Sequence, residues 1–291
     1  MIPLVQCVPN FSEGRRPAVV AAIVEAVGAT AGVRVADWSA DPDHNRMVVT
    51  FVGPPEAVRA AALSAAATAV AQIDLGRHEG VHPRLGALDV LPFVPLRGLT
   101  LADCAALARE VGQEVAARHG LPVFLYEAAA PATRSLPFVR KEAFRTLMPD
   151  FGPDHPHPTA GAAVVGARGL LIAYNVVLAT TDLAVARSLA RELRALPTLP
   201  GVRALGLRLP SRGLTQVSMN LTRPAETPLL AVFRHVETRA RDFGTSVVES
   251  EVIGAVPGPS AFDVLRDALR APALNPGQVL LETWGILETL A

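Results

Sequence analysis

The 291 residues carry 27 basic and 27 acidic side chains, with half of all residues hydrophobic and 19% charged. A chain of this size can bury a large core and divides on length alone into about two domains. Zero net charge offers neither a basic face for nucleic acid nor an acidic tail, and the most apolar stretch, 161–180, is interrupted by Arg168 and Asn175, which argues against a membrane span.

In chain order, Leu4 to Val8 reads as a short strand stopped at Pro9-Asn10. A helix follows, with Pro17 in its first turn and Val20, Ile23, Val24 and Val27 at helical spacing. Val33 to Ala36 and Met47 to Val52 read as strands separated by a polar turn, Asp37 to Arg46. Gly53-Pro54-Pro55 opens an alanine-rich helix that runs to Ile73. Beyond the segment 73–86 come a strand to Val94, a helix from Leu101 to His119 with Gly120 as its cap, and a strand from Val123 to Tyr126. This order is β-α-β-β-α-β with one further helix and strand. Ala128 to Asp150 has no clear period.

From Ala162 the pattern returns: a long strand region (Val164 to Leu178), then a helix with Leu183, Ala186, Leu189 and Leu193 on one face. Two strands, Val202 to Leu209 and Thr215 to Leu221, are joined by the turn Pro210 to Gly213. A helix (Pro228 to Phe243) and a strand (Ser246 to Ile253) complete a second β-α-β-β-α-β, and helices at Ser260 to Leu269 and Gly277 to Leu290 close the chain. The expected fold is therefore α+β, two ferredoxin-like subdomains with helices on one face of each sheet and a cleft between them. The expected boundary divides 1–169 from 170–291.

Cys7 and Cys104 make no disulfide framework, which fits a reducing compartment. The first 14 residues lack a basic segment and a sustained apolar one, so no signal peptide is expected and the reading is cytoplasmic. Lys141 is the sole lysine; arginine, which supplies the remaining positive charge, suits forked recognition of carboxylates.

Chemistry concentrates in Ile73 to Pro95, where two histidines, two arginines, a glutamate and two aspartates stand among three glycines. His78-Glu79-Gly80-Val81-His82 spells the H-E-x-x-H of zinc proteases, which requires one helical turn between the histidines. Gly76 and Gly80 would each cost about 1 kcal/mol inside a helix. Pro83 pushes the residue before it out of helical geometry. His82 is therefore expected in a loop that enters the next strand. A second dense segment, 151–161, is too rich in proline for a helix or central strand; it reads as an interdomain linker, as a stiff binding loop, or as both.

Seven ordered segments together resemble one family: Val8-Pro9-Asn10-Phe11-Ser12-Glu13-Gly14; Asp43-His44-Asn45-Arg46 with Thr50-Phe51-Val52-Gly53; Ile73-Asp74 with Arg77-His78; His82 to Val90 with Pro95 and Arg97-Gly98; Asp150-Phe151-Gly152-Pro153; Gly166-Ala167-Arg168; and Gln216 to Asn220. That family is glutamate formimidoyltransferase, the amino-terminal part of formimidoyltransferase-cyclodeaminase, and the chain resembles its freestanding form. The resemblance implies transfer of the formimino group of N-formimino-L-glutamate to N5 of tetrahydrofolate, within histidine breakdown. It also implies a homodimer, and tetrahydrofolate as co-substrate held in a cleft between the subdomains. The sequence has no phosphate-cradling glycine loop and no Cys-x-x-Cys cluster, so no nucleotide and no metal are expected. The family's catalytic histidine falls on His82. Its folate-contacting segment falls on Gly152, Pro153, Asp154, His155, Pro156, His157, Pro158, Thr159, Ala160 and Gly161. The family carries an acidic residue where this chain has Ser39, with Asp37, Asp41 and Asp43 nearby.

The chemistry asks for similar groups. Attack by N5 on the formimino carbon creates a proton to remove, and the departing glutamate nitrogen needs one, which suits a histidine near neutral pH. A carboxylate facing the cationic amidine would come from Asp41 or Asp43, unless these merely bond their own turn. Arg46 and Arg84 suit the substrate carboxylates, and Asn10 and Asn45 stand in the same motifs. Alternatives are a formyl transfer from 5-formyltetrahydrofolate to glutamate, a zinc hydrolase, and a folate-binding protein without turnover.

Overall fold

A computed structural model describes residues 2–274. The described residues divide into two compact units, 2–169 and 170–274.

The first unit is built on one mixed sheet. Its strands are β1 (Leu4–Cys7), β2 (Asn10–Phe11), β3 (Arg34–Asp41), β4 (Arg46–Gly53), β5 (Leu88–Arg97), β6 (Val123–Glu127) and β7 (Ala163–Ala167). β1 and β2 both pair with β4 on one side and β5 on the other, so they act as one strand broken at Pro9. β3 lies outside β4 and is antiparallel to it, which completes the ferredoxin-like order. β7 and then β6 extend the sheet beyond β5 in parallel.

Helices α1 (Pro17–Gly28), α2 (Pro55–Gln72) and α3 (Leu101–His119) cover one face. α1 starts with proline at its first position, where the missing N–H has no partner to lose, and buries Val19, Val20, Ile23 and Val27. α2 buries mostly alanines, whose small side chains let it lie close to its neighbours. α3 has the reciprocal Thr100–Asp103 cap at its start and Gly120, left-handed, at its end.

The opposite face is covered as well. α4 (Leu136–Glu142) places Val139 against Val90, Phe124, Tyr126 and Val164. Arg134 ties this segment down through a two-pronged pair with Asp150 (2.9 and 2.7 Å), whose Oδ2 also accepts from Leu125 N. Helices on a single face were expected; α4 sits on the other one, inside the 128–150 stretch whose sequence lacks a period.

The second unit is a ferredoxin-like fold: β8 (Ile172–Leu178), α5 (Leu183–Ala195), β9 (Val202–Leu209), β10 (Leu214–Leu221), α6 (Leu229–Asp242) and β11 (Val247–Ile253), with sheet order β11-β8-β10-β9. All pairs are antiparallel. Leu189 and Leu193 of α5 and Val232 and Val236 of α6 pack on Tyr174, Val176, Val217 and Met219. α7 (Gly258–Ala268) follows; the helix predicted over 277–290 lies outside the described residues.

The strand region predicted over 164–178 is two strands in two different sheets. Residues 168–171 separate them, and β7 ends in the first unit while β8 begins the second. Continuous apolar composition on both sides hid the break. The segment 151–161, read partly as a linker, lies within the first unit instead. Gly161 bridges to Gly86, and Phe151 bridges to Val123.

Candidate active site

The face of the first sheet away from α1–α3 carries the polar groups. Along β4, Met47, Val49 and Phe51 point into the helix-side core, so Arg46 points to the other face. Phe11 of β2 is likewise in the core, which turns its neighbour Asn10 outward with Arg46. Arg46 Nη2 donates to Asn10 Oδ1 at 2.8 Å, and Nη1 donates to Asp89 Oδ2 at 2.5 Å. From α4, Arg140 Nη2 donates to that same Oδ2 at 2.6 Å, while Leu85 N donates to Oδ1 at 2.7 Å. Asp89 is fully buried. Burial alone would raise its carboxyl, but the two guanidinium groups and the Leu85 amide outweigh that and hold it at about 2.

The segment 73–87 folds beside this cluster. A 3₁₀ turn over Leu75–Arg77, capped by the Asp74 carboxylate, precedes an irregular loop, and no helix covers 78–82. The H-E-x-x-H spacing therefore never becomes one helical face. Val81 N donates to Asp43 O and Asn45 Nδ2 donates to Glu79 O, which ties this loop to the β3–β4 turn. Gly80 sits so close to that turn that a Cβ would stand 2.4 Å from His44 O and 2.6 Å from Arg84 Nη2. Only glycine permits that approach.

His82 is half-buried in this loop. Its Nδ1 lies 2.7 Å from the Pro83 carbonyl oxygen. A carbonyl only accepts, so Nδ1 carries the hydrogen and Nε2 keeps a free lone pair. Burial first, then the positive charges of Arg46 and Arg140, push its pKa down to about 2. The imidazole is therefore neutral near pH 7. The His44 ring stands edge-on to it, centroids 6.1 Å apart. His44 is itself buried; its backbone N donates to Asp41 Oδ1 at 2.7 Å, its Nδ1 is 3.5 Å from Asp41 Oδ2, and its Nε2 has no partner among the described residues.

Arg84 clamps the loop. Its Nε and Nη2 both donate to His82 O (3.2 and 2.7 Å), Nη2 reaches His44 O (3.3 Å), and Nη1 contacts the His78 ring. His78 Nε2 is 3.1 Å from Asn45 O, and its pKa is lowered by burial and then by Arg84. Asn45 takes a left-handed backbone and accepts Gly14 N on Oδ1 at 2.9 Å.

Segment 152–161 runs alongside. Leu75 N donates to Thr159 O (2.7 Å), Ala87 N to Ala160 O (2.9 Å), and Ala162 N to Leu85 O (3.0 Å). A tight turn closes between His157 and Gly161, with His157 Nδ1 accepting Ala160 N at 3.0 Å. Asp154 and His155 pair at 3.0 Å on the surface. Among the described residues no three His, Cys, Asp or Glu side chains group closely enough to hold a metal ion.

Of the residues singled out from sequence, Asn10, Asp41, Asp43, Asn45, Arg46, His82 and Arg84 are drawn together by β2, the β3–β4 turn and this loop, and 152–161 lies against the loop. Ser39 pairs with Val48 on β3, and Asp37 and Asp41 pair with Thr50 and Arg46, so two acids flank Ser39 on its own sheet face. Sequence reasoning missed His44, Asp89 and Arg140 as site residues. A lone aspartate opening an apolar strand was the available signal for Asp89.

The formiminotransferase domain, N-terminal subdomain, matches residues 4–168, and the formiminotransferase domain matches residues 173–266. A protein of Streptococcus pyogenes serotype M1 named glutamate formimidoyltransferase is 36% identical over 97% of this chain and 98% of its own. A Thermoplasma acidophilum protein of the same name is 38% identical, covering 95% and 96%. Formimidoyltransferase-cyclodeaminase of Rattus norvegicus is 41% identical over 90% of this chain and 52% of its own length. The chain belongs to the formiminotransferase domain family.

Proposed function

We propose that this chain transfers the formimino group of N-formimino-L-glutamate to N5 of tetrahydrofolate, with His82 as the proton carrier. The observation that carries the reading is a neutral imidazole whose tautomer is fixed by the Pro83 carbonyl, with Nε2 left as base, in a chain whose near-full-length relatives bear the name glutamate formimidoyltransferase.

N5 attacks the formimino carbon and becomes cationic. His82 Nε2 takes the proton that N5 must lose, then delivers it to the glutamate nitrogen as the C–N bond breaks. The atoms balance: N5 gains the formimino group, glutamate leaves as the free amine, and the imidazole ends neutral. Pro83 O stabilises the transient imidazolium through the Nδ1–H bond it already accepts.

Asn10, Asp41, Asp43, Asn45 and Arg46 shape the pocket for the amino-acid substrate, and Arg84 holds the loop that carries His82. Gly152, Pro153, Asp154, His155, Pro156, His157, Pro158, Thr159, Ala160 and Gly161 form the segment that meets the folate. Its backbone bonds to 75–87 would link folate contact to the position of His82. A cytoplasmic homodimer completes the reading, supported by the two free, buried cysteines and by the family resemblance.

The test is incubation of the purified protein with formiminoglutamate and tetrahydrofolate, following the folate adduct by absorbance, beside a parallel reaction with 5-formyltetrahydrofolate and glutamate. The proposal expects the formimino adduct in the first. Product in the second alone would transfer the assignment to formyl chemistry, and product in neither would overturn it.

A further inference from the structure

Two guanidinium groups share one carboxylate on the outer face of the first sheet. Asp89 accepts three hydrogen bonds: Oδ2 from Arg46 and Arg140, and Oδ1 from Leu85 N. The charges do not cancel, because two cations face one anion. The side chains of Arg46, Arg140 and Asp89 are 12%, 17% and 0% exposed, so water screens the surplus poorly. Asp89 is the only acidic partner of either arginine among the described residues, whereas further positive charge comes from Arg84.

Arg140 is the underused member. Its single side-chain hydrogen bond among the described residues is Nη2 to Asp89, and its Nε is buried without a partner. Arg84 differs: Nε and Nη2 go to backbone carbonyls and Nη1 to His78. It is committed to holding the loop. Arg46 has one terminal nitrogen on Asn10 and the other on Asp89, which fixes its plane.

A buried positive surplus held rigid by a shared carboxylate is costly in the empty protein and is relieved by an incoming anion. We propose that Arg140 and Arg46, oriented by Asp89, form a recognition site for a carboxylate of the glutamate-derived substrate, and that Arg84 is a positioning residue outside it. The identity of the ligand rests on the proposed function; the existence of an anion site does not.

The geometry also gives the site a second effect. Arg46 and Arg140 are the charges that, after burial, hold His82 least basic. An anion seated between them offsets that repulsion, so occupancy strengthens the base only when substrate is present.

The experiment is calorimetric binding of L-glutamate, and separately of 5-formyltetrahydrofolate, to the intact chain and to Arg140→Met and Arg140→Lys, with a thermal melt of each. Arg140→Met leaves Arg46 and Asp89 as a balanced pair, so its melting temperature should hold or rise while glutamate affinity falls at least ten-fold and folate affinity stays within two-fold. Arg140→Lys should keep glutamate binding within a few-fold. Unchanged glutamate affinity in Arg140→Met would overturn the site, as would a lower melting temperature with both ligands weakened together, the signature of a merely structural arginine. Because no turnover is read, failure of the transfer reaction would not mimic either result.

Discussion

Arg46 reaches past β2 to Asp89 at 2.5 Å, and this bond joins β4 to β5 on the face that carries the site. Asp89 is fully buried and holds Arg140 with the same oxygen. Asp89→Asn removes the only negative charge that faces the two guanidinium groups among the described residues. We expect a loss of about 3–5 kcal/mol, the usual cost of breaking a buried pair and stranding the charge left behind. Urea denaturation read by circular dichroism checks it; a loss below about 1 kcal/mol would show that water already screens the cluster.

The loop makes a different prediction. Arg84→Ala removes the clamp on His82 O and His44 O without touching the Arg46–Asp89–Arg140 cluster. Turnover should fall roughly 10²-fold, the scale set by misplacement of a reacting group by about 1 Å. KM for formiminoglutamate should change little. Gly80→Ala, whose Cβ would meet His44 O, should behave in the same way. Steady-state kinetics on both variants separate this from Arg140→Met, where KM should move first.

Much of this was legible in the sequence, and the failures share a cause. The end of α3 was read to the residue from Gly120, because local chemistry decides helix ends. Pro83 likewise told against a helix at His82. The break between β7 and β8 was not legible, since strand-like composition runs across it and only sheet partners distinguish the two. Asp89 and Arg140 lie 51 residues apart in the chain, and α4 is a single short helix on the second face of the sheet. No local period announces such a meeting.

Acid should destabilise the fold in two stages. His82 has its pKa lowered from 6.5 to about 2, so the folded state disfavours its protonated form. A depressed pKa contributes stability that is complete above 6.5 and is lost as pH falls toward 2. Asp89, lowered from 3.8 to about 2, adds its own loss below 3.8. His82→Gln should therefore flatten the decline in melting temperature between pH 6.5 and 4 while leaving the steeper fall below pH 4. Identical profiles for the two proteins in the upper range would show that the loop opens and releases His82 before it titrates.

The most direct test of the central claim is single-turnover transfer from formiminoglutamate to tetrahydrofolate by His82→Ala, beside folate binding by the same variant. The account predicts a rate lower by roughly 10²–10⁴-fold, the usual share of a general acid–base group, with folate affinity preserved. A near-normal rate would contradict it, since no other group then needs to be His82 for the proton to pass from N5 to the departing nitrogen.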